Sequence, residues 1–334
     1  MADAVRCGAV SGQLIVMAAP RPEDPYYAAA AASLCRFIVT VAHALHPPDH
    51  ALILCDGSQA AWFRAEAPAA QVVAAPQGDI WLRDFGPVTN GLRRMLFRYA
   101  PEGQGGDARR ARRVQARLAK TLGALGDAAP RARLILDGGN FVSDGAGRAV
   151  ASTKILRDNR IDAAAARAAL RRHLGIEHLA LIDMAEDRAA GDRLEHADAR
   201  AAWLAPGVLL VQQVPDLTAR DLDVLSAALP GVTLVPLPLT GRDVADADPR
   251  YPSALDLYAN LVATETAVYL PRYGLPTDDP AQATVRAAVF RPVIPIDCGA
   301  VAAWGGSLRC LTCQVTMPSD PMRIRARGTS EPAG

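Results

Sequence analysis

The chain has 334 residues, with 36 Lys and Arg against 35 Asp and Glu, a net charge of +1. That balance leaves no chain-wide electrostatic basis for gripping nucleic acid or an anionic membrane, and hydrophobic residues at 50% exclude disorder. Length alone suggests two domains of ~150 residues, and with aromatics at 5% the core must be aliphatic and alanine-rich.

In chain order, β-like runs alternate with helical patterns. Leu14–Ala18 reads as a strand, Tyr27–Leu45 as a core-facing helix, and Ala51–Cys55, Gln71–Ala74 and Met95–Arg98 as strands. Ala108–Leu125 reads as an amphipathic helix, with Val114, Leu118 and Leu122 on one face and a solvated run of arginines on the other. Strands follow at Arg133–Asp137 and Ala149–Ser152, a helix at Ala163–Leu174, and strands at His178–Ile182 and Val208–Gln212. A helix at Ala219–Leu229, strands at Val232–Pro236 and Ala267–Leu270, a helix at Gln282–Phe290, and strands at Val293–Ile296 and Leu308–Val315 complete the list. Alternation of this kind argues for an α/β protein. Twelve strands against five helices are too many for a doubly wound sheet, and read instead as a repeated ββαβ-like unit.

No run approaches the roughly 18–20 apolar residues of a membrane helix, and no signal peptide is expected, since the apolar run Leu14–Pro20 is short. The six cysteines, at 7, 35, 55, 298, 310 and 313, are no disulfide framework in a chain of this size. A reducing, cytoplasmic setting is the expectation. The stretch from Pro318 onward, rich in Pro, Arg and Gly, is expected to fray.

Four segments place unlike polar groups beside glycines. Asp79-Ile80-Trp81-Leu82-Arg83-Asp84-Phe85-Gly86-Pro87 offers carboxylates against an aromatic wall, suited to a flat cation; its plain alternative is an Arg83–Asp salt bridge tying a loop. Asp137-Gly138-Gly139-Asn140 lets backbone approach a ligand, or is a turn in which Asn140 ties its own backbone. His196 and Asp198 fall on one face if the stretch is extended, giving an acid/base unit, half a metal site or a surface pair. In Trp304-Gly305-Gly306-Ser307-Leu308-Arg309-Cys310-Leu311-Thr312-Cys313, a cation beside Cys310 would lower its thiol pKa. The rival there is a Cys310–Cys313 dithiol or zinc pair, and zinc would want a second such pair.

Taken in this order, the segments resemble the agmatine deiminase / bacterial-type peptidylarginine deiminase family over about residues 75 to 315. Tyr258-Ala259-Asn260 and Tyr269-Leu270-Pro271-Arg272-Tyr273-Gly274 are similar to the stretch that precedes the nucleophile there. The resemblance implies a single five-bladed α/β propeller (the pentein fold) of pseudo-fivefold ββαβ modules, assigned here to one domain over 8–318, and composition leaves 319–334 as a flexible tail. The resemblance also implies a hydrolase of small cationic guanidino compounds without metal or cofactor, with a homodimer as a further expectation. Carried over by position, Cys310 is the nucleophile and His196 the general acid/base, while Asp84 and Asp198 hold the guanidinium nitrogens. Trp81, Asp137, Asn260 and Gly306 stand around them as substrate-binding residues. An amidinotransferase on the same fold, or a guanidino-binding protein with little turnover, are the alternatives. The chain departs from the family pattern at three places. Asp137 stands where glutamate is usual, Glu195 where glycine precedes the histidine, and only two glycines follow Trp304.

Overall fold

The computed structural model describes residues 12–185, 192–213, 218–239 and 251–316. Cys7, the 319–334 tail and both ends of the 8–318 domain assignment lie outside these residues.

Among the described residues the strands form five small mixed sheets. Four share one plan. An antiparallel hairpin is followed by a helical crossover, and a third strand returns parallel to the second. The first of these sheets holds β4 (Val88–Asn90), β5 (Arg93–Arg98) and, after helix α4 (Ala108–Ala124), β6 (Arg131–Ile135). The next holds β7 (Phe141–Ser143), β8 (Arg148–Ser152) and, after α5 (Lys154–Asn159) and α6 (Ala163–Leu174), β9 (His178–Ile182). Then come β10 (Ala201–Ala205), β11 (Val208–Gln213), α7 (Thr218–Ala228) and β12 (Thr233–Leu239). The fourth holds β13 (Val262–Ala263), β14 (Val268–Arg272), α8 (Asp278–Ala288) and β15 (Val293–Asp297).

The fifth module is assembled from both ends of the chain. β1 (Gln13–Ala18) pairs antiparallel with the last strand, β16 (Thr312–Thr316), in the register Gln13↔Thr316 to Met17↔Thr312. After α1 (Ala31–Ala44), β2 (His50–Cys55) returns parallel to β1, and β3 (Gln71–Ala74), reached through α2 (Ala60–Glu66), adds a fourth strand. The sequence-based ββαβ unit is therefore present five times among the described residues.

Local chemistry accounts for the helices. In α1 the buried Leu34, Phe37, Ile38 and Val41 recur at helical spacing. It begins at Ala31 rather than Tyr27, because the Tyr27 hydroxyl donates to buried Asp79 at 2.6 Å from a preceding turn. In α4, Asp107 caps the start by accepting from the N–H groups of Arg109 and Arg110. Ala111, Val114, Leu118 and Leu122 are buried, while Arg109, Arg112, Arg113, Arg117 and Lys120 are exposed. In α6, Asp162 caps the N-terminus and left-handed Gly175 ends the helix. Among the described residues no helix is long and apolar enough to cross a membrane.

Among the predicted boundaries that move, two more lie in the C-terminal part of the chain. The last strand begins at Thr312, four residues after the expected Leu308, so Cys310 lies in the turn ahead of β16. The helix expected at Gln282–Phe290 starts earlier, at Asp278. There the Asp278 carboxylate accepts from the N–H groups of Tyr273, Gly274 and Leu275.

Candidate active site

Each module presents a short turn just before its first strand, and these turns carry the chemistry. Asp84 sits in α3 (Leu82–Phe85), four residues before β4, and Asp137 lies four residues before β7. Asp198 lies three before β10, and Asn260 and Cys310 each lie two before β13 and β16. Residues scattered over more than 220 positions thereby meet in one place. Trp81, Asp84, His196, Asp198, Asn260, Gly306 and Cys310 all line a single cavity of about 340 Å³.

Two glycines make this approach possible. A Cβ on Gly306 would lie 2.3 Å from the Trp81 ring, and one on Gly139 would lie 2.4 Å from Nδ1 of His196. Real Cβ atoms do not come so close, so a side chain at either position would push the Trp81 or His196 ring out of place.

His196 is sandwiched between two carboxylates. Its Nδ1 lies 3.6 Å from Oδ1 of Asp84, and its Nε2 lies 3.5 Å from Oδ2 of Asp137. Burial opposes the imidazolium, but Asp84 and Asp137, with Asp198 beyond them, outweigh it and raise the pKa to about 9. Asp84 is raised to about 7, by burial first and by Asp137 and Asp198 as like charges, with His196 pulling the other way. Its Oδ1 is buried and faces the His196 Nδ1 at 3.6 Å, beyond hydrogen-bond reach.

Asp137, expected to touch substrate, stands behind His196 instead of on the cavity wall. Its Oδ1 accepts from the N–H of Ala100 at 2.8 Å, and the cation of Lys154 lies 3.9 Å from its Oδ2. Asn140 does not tie its own turn; its Oδ1 accepts from the N–H of Ser152 at 2.7 Å and so joins β7 to β8.

The shared face of His196 and Asp198 has a different origin from the expected one. His196 has extended backbone but caps a 3-10 turn, Ala197–Ala199, that contains Asp198. Strand alternation therefore does not align them. Asp198 is instead fixed by Arg309, whose Nη1 donates to its Oδ2 at 2.6 Å.

That contact also revises the expectation for the thiol. The Arg309 guanidinium points away from Cys310, donating to Asp198, the Phe141 carbonyl (3.0 Å) and the Gly138 carbonyl (3.4 Å). Burial pushes the Cys310 thiol up, and Asp198 and Asp84 push it further, against opposing hydrogen bonds from the Ser307 backbone and Asn260. Both influences favour the neutral thiol while the cleft is empty.

Asn260 clamps the turn around that thiol. Its Oδ1 accepts from the N–H of Arg309 at 2.9 Å and of Cys310 at 3.3 Å, and its Nδ2 reaches Sγ at 3.3 Å. The Cys310 carbonyl accepts from the N–H of Arg83 at 3.1 Å. Cys313 belongs elsewhere: it is buried in β16 among Leu82, Phe85 and Val315, with its sulfur against Gly86. Cys310 and Cys313 are both free, and the strand sends Cys313 into the core, which removes the structural basis of a dithiol.

Sequence reasoning missed Tyr26, Tyr27, Gln104, Arg110, Asp192 and Tyr251, which also line the cavity. They come from connecting loops and from the cap of α4, which carry no periodicity. Tyr26 and Trp304 meet edge to face with centroids 5.7 Å apart, forming an aromatic wall.

Comparison with known proteins decides the family. The model for the Porphyromonas-type peptidyl-arginine deiminases matches residues 10–316. The chain belongs to this family. Its members, the agmatine and peptidylarginine deiminases, are guanidino-group hydrolases. A protein of Selenomonas ruminantium provisionally named an agmatine deiminase is 28% identical over 289 residues, 73% of this chain and 76% of that one. The solved agmatine deiminase of C. jejuni superposes with a TM-score of 0.75 at 18% identity, covering 92% of this chain and 94% of that one. The DDAH of Pseudomonas aeruginosa, solved as a Cys-to-Ser mutant with citrulline, gives 0.54 at 11% identity, over 91% of this chain and all of that one. The five mixed sheets are accordingly those of a pentein-like α/β propeller.

Proposed function

We propose that this deiminase-family protein hydrolyses a small cationic guanidino compound, agmatine or a relative of arginine, to a ureido product and ammonia through a covalent Cys310 intermediate. The carrying observation is that Cys310, His196, Asp84 and Asp198 line one cavity.

A guanidinium resists attack because resonance spreads its charge over the central carbon and three nitrogens. Asp84 and Asp198, both on the cavity wall, would receive the N–H groups and orient that carbon toward Sγ. The arriving cation offsets the two carboxylates, and the Cys310 thiol releases its proton to bulk water as the thiolate forms. The thiolate adds to the central carbon. His196, held protonated by its carboxylate neighbours, gives its proton to the departing nitrogen, which leaves as ammonia. The resulting neutral imidazole takes a proton from water as the water's oxygen attacks the amidino carbon. The carbon–sulfur bond breaks, releasing the ureido product and the thiolate. Asp137 and Lys154 behind His196 set its orientation.

The test is incubation with agmatine, arginine, methylated arginines and an arginyl peptide, reading ureido product and free ammonia. Product is expected without any added amine, which separates hydrolysis from amidino transfer. Cys310→Ser should lower kcat by at least ~10³-fold, as loss of a covalent nucleophile does, while Cys313→Ser should retain turnover at reduced stability. Activity surviving in Cys310→Ser would sink the mechanism.

A further inference from the structure

The arginine of the first motif, Arg83, takes no part in the cleft. Its side chain passes to the other side of the catalytic turns, into a second cavity of about 100 Å³. Residues of β4, β7, β10, β13 and β16, the first strand of every module, ring this cavity, so it lies on the propeller axis behind the nucleophile.

Its charge is unbalanced. Arg83 and Arg309 both line it, and no Asp or Glu does. Arg83 is only 7% exposed. Among the described residues its guanidinium makes a side-chain hydrogen bond to the neutral Gln314, at 3.1 Å, and its Nε has no partner. The salt bridge to a neighbouring Asp that the sequence allowed is not made. Arg309 is matched by Asp198, but Asp198 faces the cleft. A buried cation that makes no ion pair is costly, and a second guanidinium beside it raises that cost. Burial, and Arg309 after it, lower the Arg83 pKa to about 10, with the more distant Asp198 opposing them only in part.

We infer that the axial cavity is a binding site for a small monovalent anion, of the chloride or bicarbonate class, held between Arg83 and Arg309. A cavity of about 100 Å³ accommodates an anion of this size, and guanidinium N–H groups suit a halide or a planar oxyanion. Occupancy would act on the cleft from behind. The anion offsets the repulsion on Arg309, which fixes Asp198, and steadies the Arg83 backbone, which donates to the Cys310 carbonyl. The site stands on its own geometry and does not depend on the reaction proposed for the cleft.

Two measurements test it. Crystals grown or soaked in bromide should show an anomalous peak between the Arg83 and Arg309 guanidinium groups. In solution at constant ionic strength, replacing gluconate with chloride, bromide or bicarbonate should raise Tm by about 2 °C. Arg83→Met should lose that dependence. Should Arg83→Met fail to fold, Thr89→Asp serves instead. Thr89 lines the cavity, so a tethered carboxylate there should raise Tm in gluconate and abolish the response to chloride. No bromide between the two arginines, or an unchanged chloride response in the variants, overturns the assignment.

Discussion

The pair of Asp84 and His196 shows how single residues set the character of the cleft. Both bind protons more tightly in the folded chain than free, His196 shifting from 6.5 to about 9 and Asp84 from 3.8 to about 7. The imidazolium's contribution to stability is present below 6.5 and lost as pH rises through about 9. The cost of charging buried Asp84 sets in as pH rises from about 4 through 7. Both effects have one sign: the native state holds more protons than the unfolded chain, so stability falls with rising pH across this window. Urea midpoints at pH 5, 7 and 9 should therefore decline in the wild type, and the decline should be shallower in Asp84→Asn. That variant removes one titration and the strongest charge holding up His196, so NMR titration should place the imidazole pKa lower. An unchanged imidazole pKa would contradict the contact. None of this coupling can be read in the sequence, where Asp84 and His196 stand 112 positions apart. The types of residue were legible; the sandwich of His196 between Asp84 and Asp137 required the fold.

At the level of the element, the turns before the first strands bear the function, and they are where sequence reading is weakest. Strands with repeated aliphatic residues, such as His178–Ile182, emerge with the expected bounds. The first strands β4, β7 and β13 are only two or three residues long, too short to show a period of two. The motifs nevertheless mark the turns, because glycines and polar residues cluster where backbone and side chains crowd together. Glu195 is the exception that the structure makes quantitative. It occupies the position usually held by glycine, and its φ is +47°, in the left-handed region. Its carboxylate is held by Arg157. A side chain there costs about 1 kcal/mol of backbone strain. Glu195→Ala should lose the ion pair and keep the strain, whereas Glu195→Gly should lose both. The glycine variant should therefore be the more stable of the two by about 1 kcal/mol, less the chain entropy glycine adds to the unfolded state. Urea unfolding of the two variants side by side measures the difference. An alanine variant as stable as the glycine variant would mean that the turn relaxes without strain.

Across the whole molecule, the ring depends on a closure between chain ends. β16 is the only partner on the outer side of β1 among the described residues, and Cys310 stands two residues ahead of it. The same strand thus closes the propeller and aims the nucleophile. Its Cys313 and Val315 are buried with Leu14, Val16, Leu82 and Phe85, which ties the closing strand to the turn that carries Asp84. A chain ending at Leu311 keeps every residue proposed for catalysis yet loses this strand. The loss of two buried side chains, at roughly 1.5–3 kcal/mol each, is large against a typical total of about 5–15 kcal/mol. The unpaired edge of β1 would also template aggregation. The truncated chain is therefore expected to lose cooperative thermal unfolding and to gain dye-accessible apolar surface, along with all turnover. Val315→Ala keeps the ladder while thinning the core beneath it. It should stay folded with a lowered urea midpoint and retained activity at low temperature. If the truncated chain instead unfolds cooperatively near the wild-type temperature, the five modules are held by their mutual packing and the end-to-end strand is dispensable.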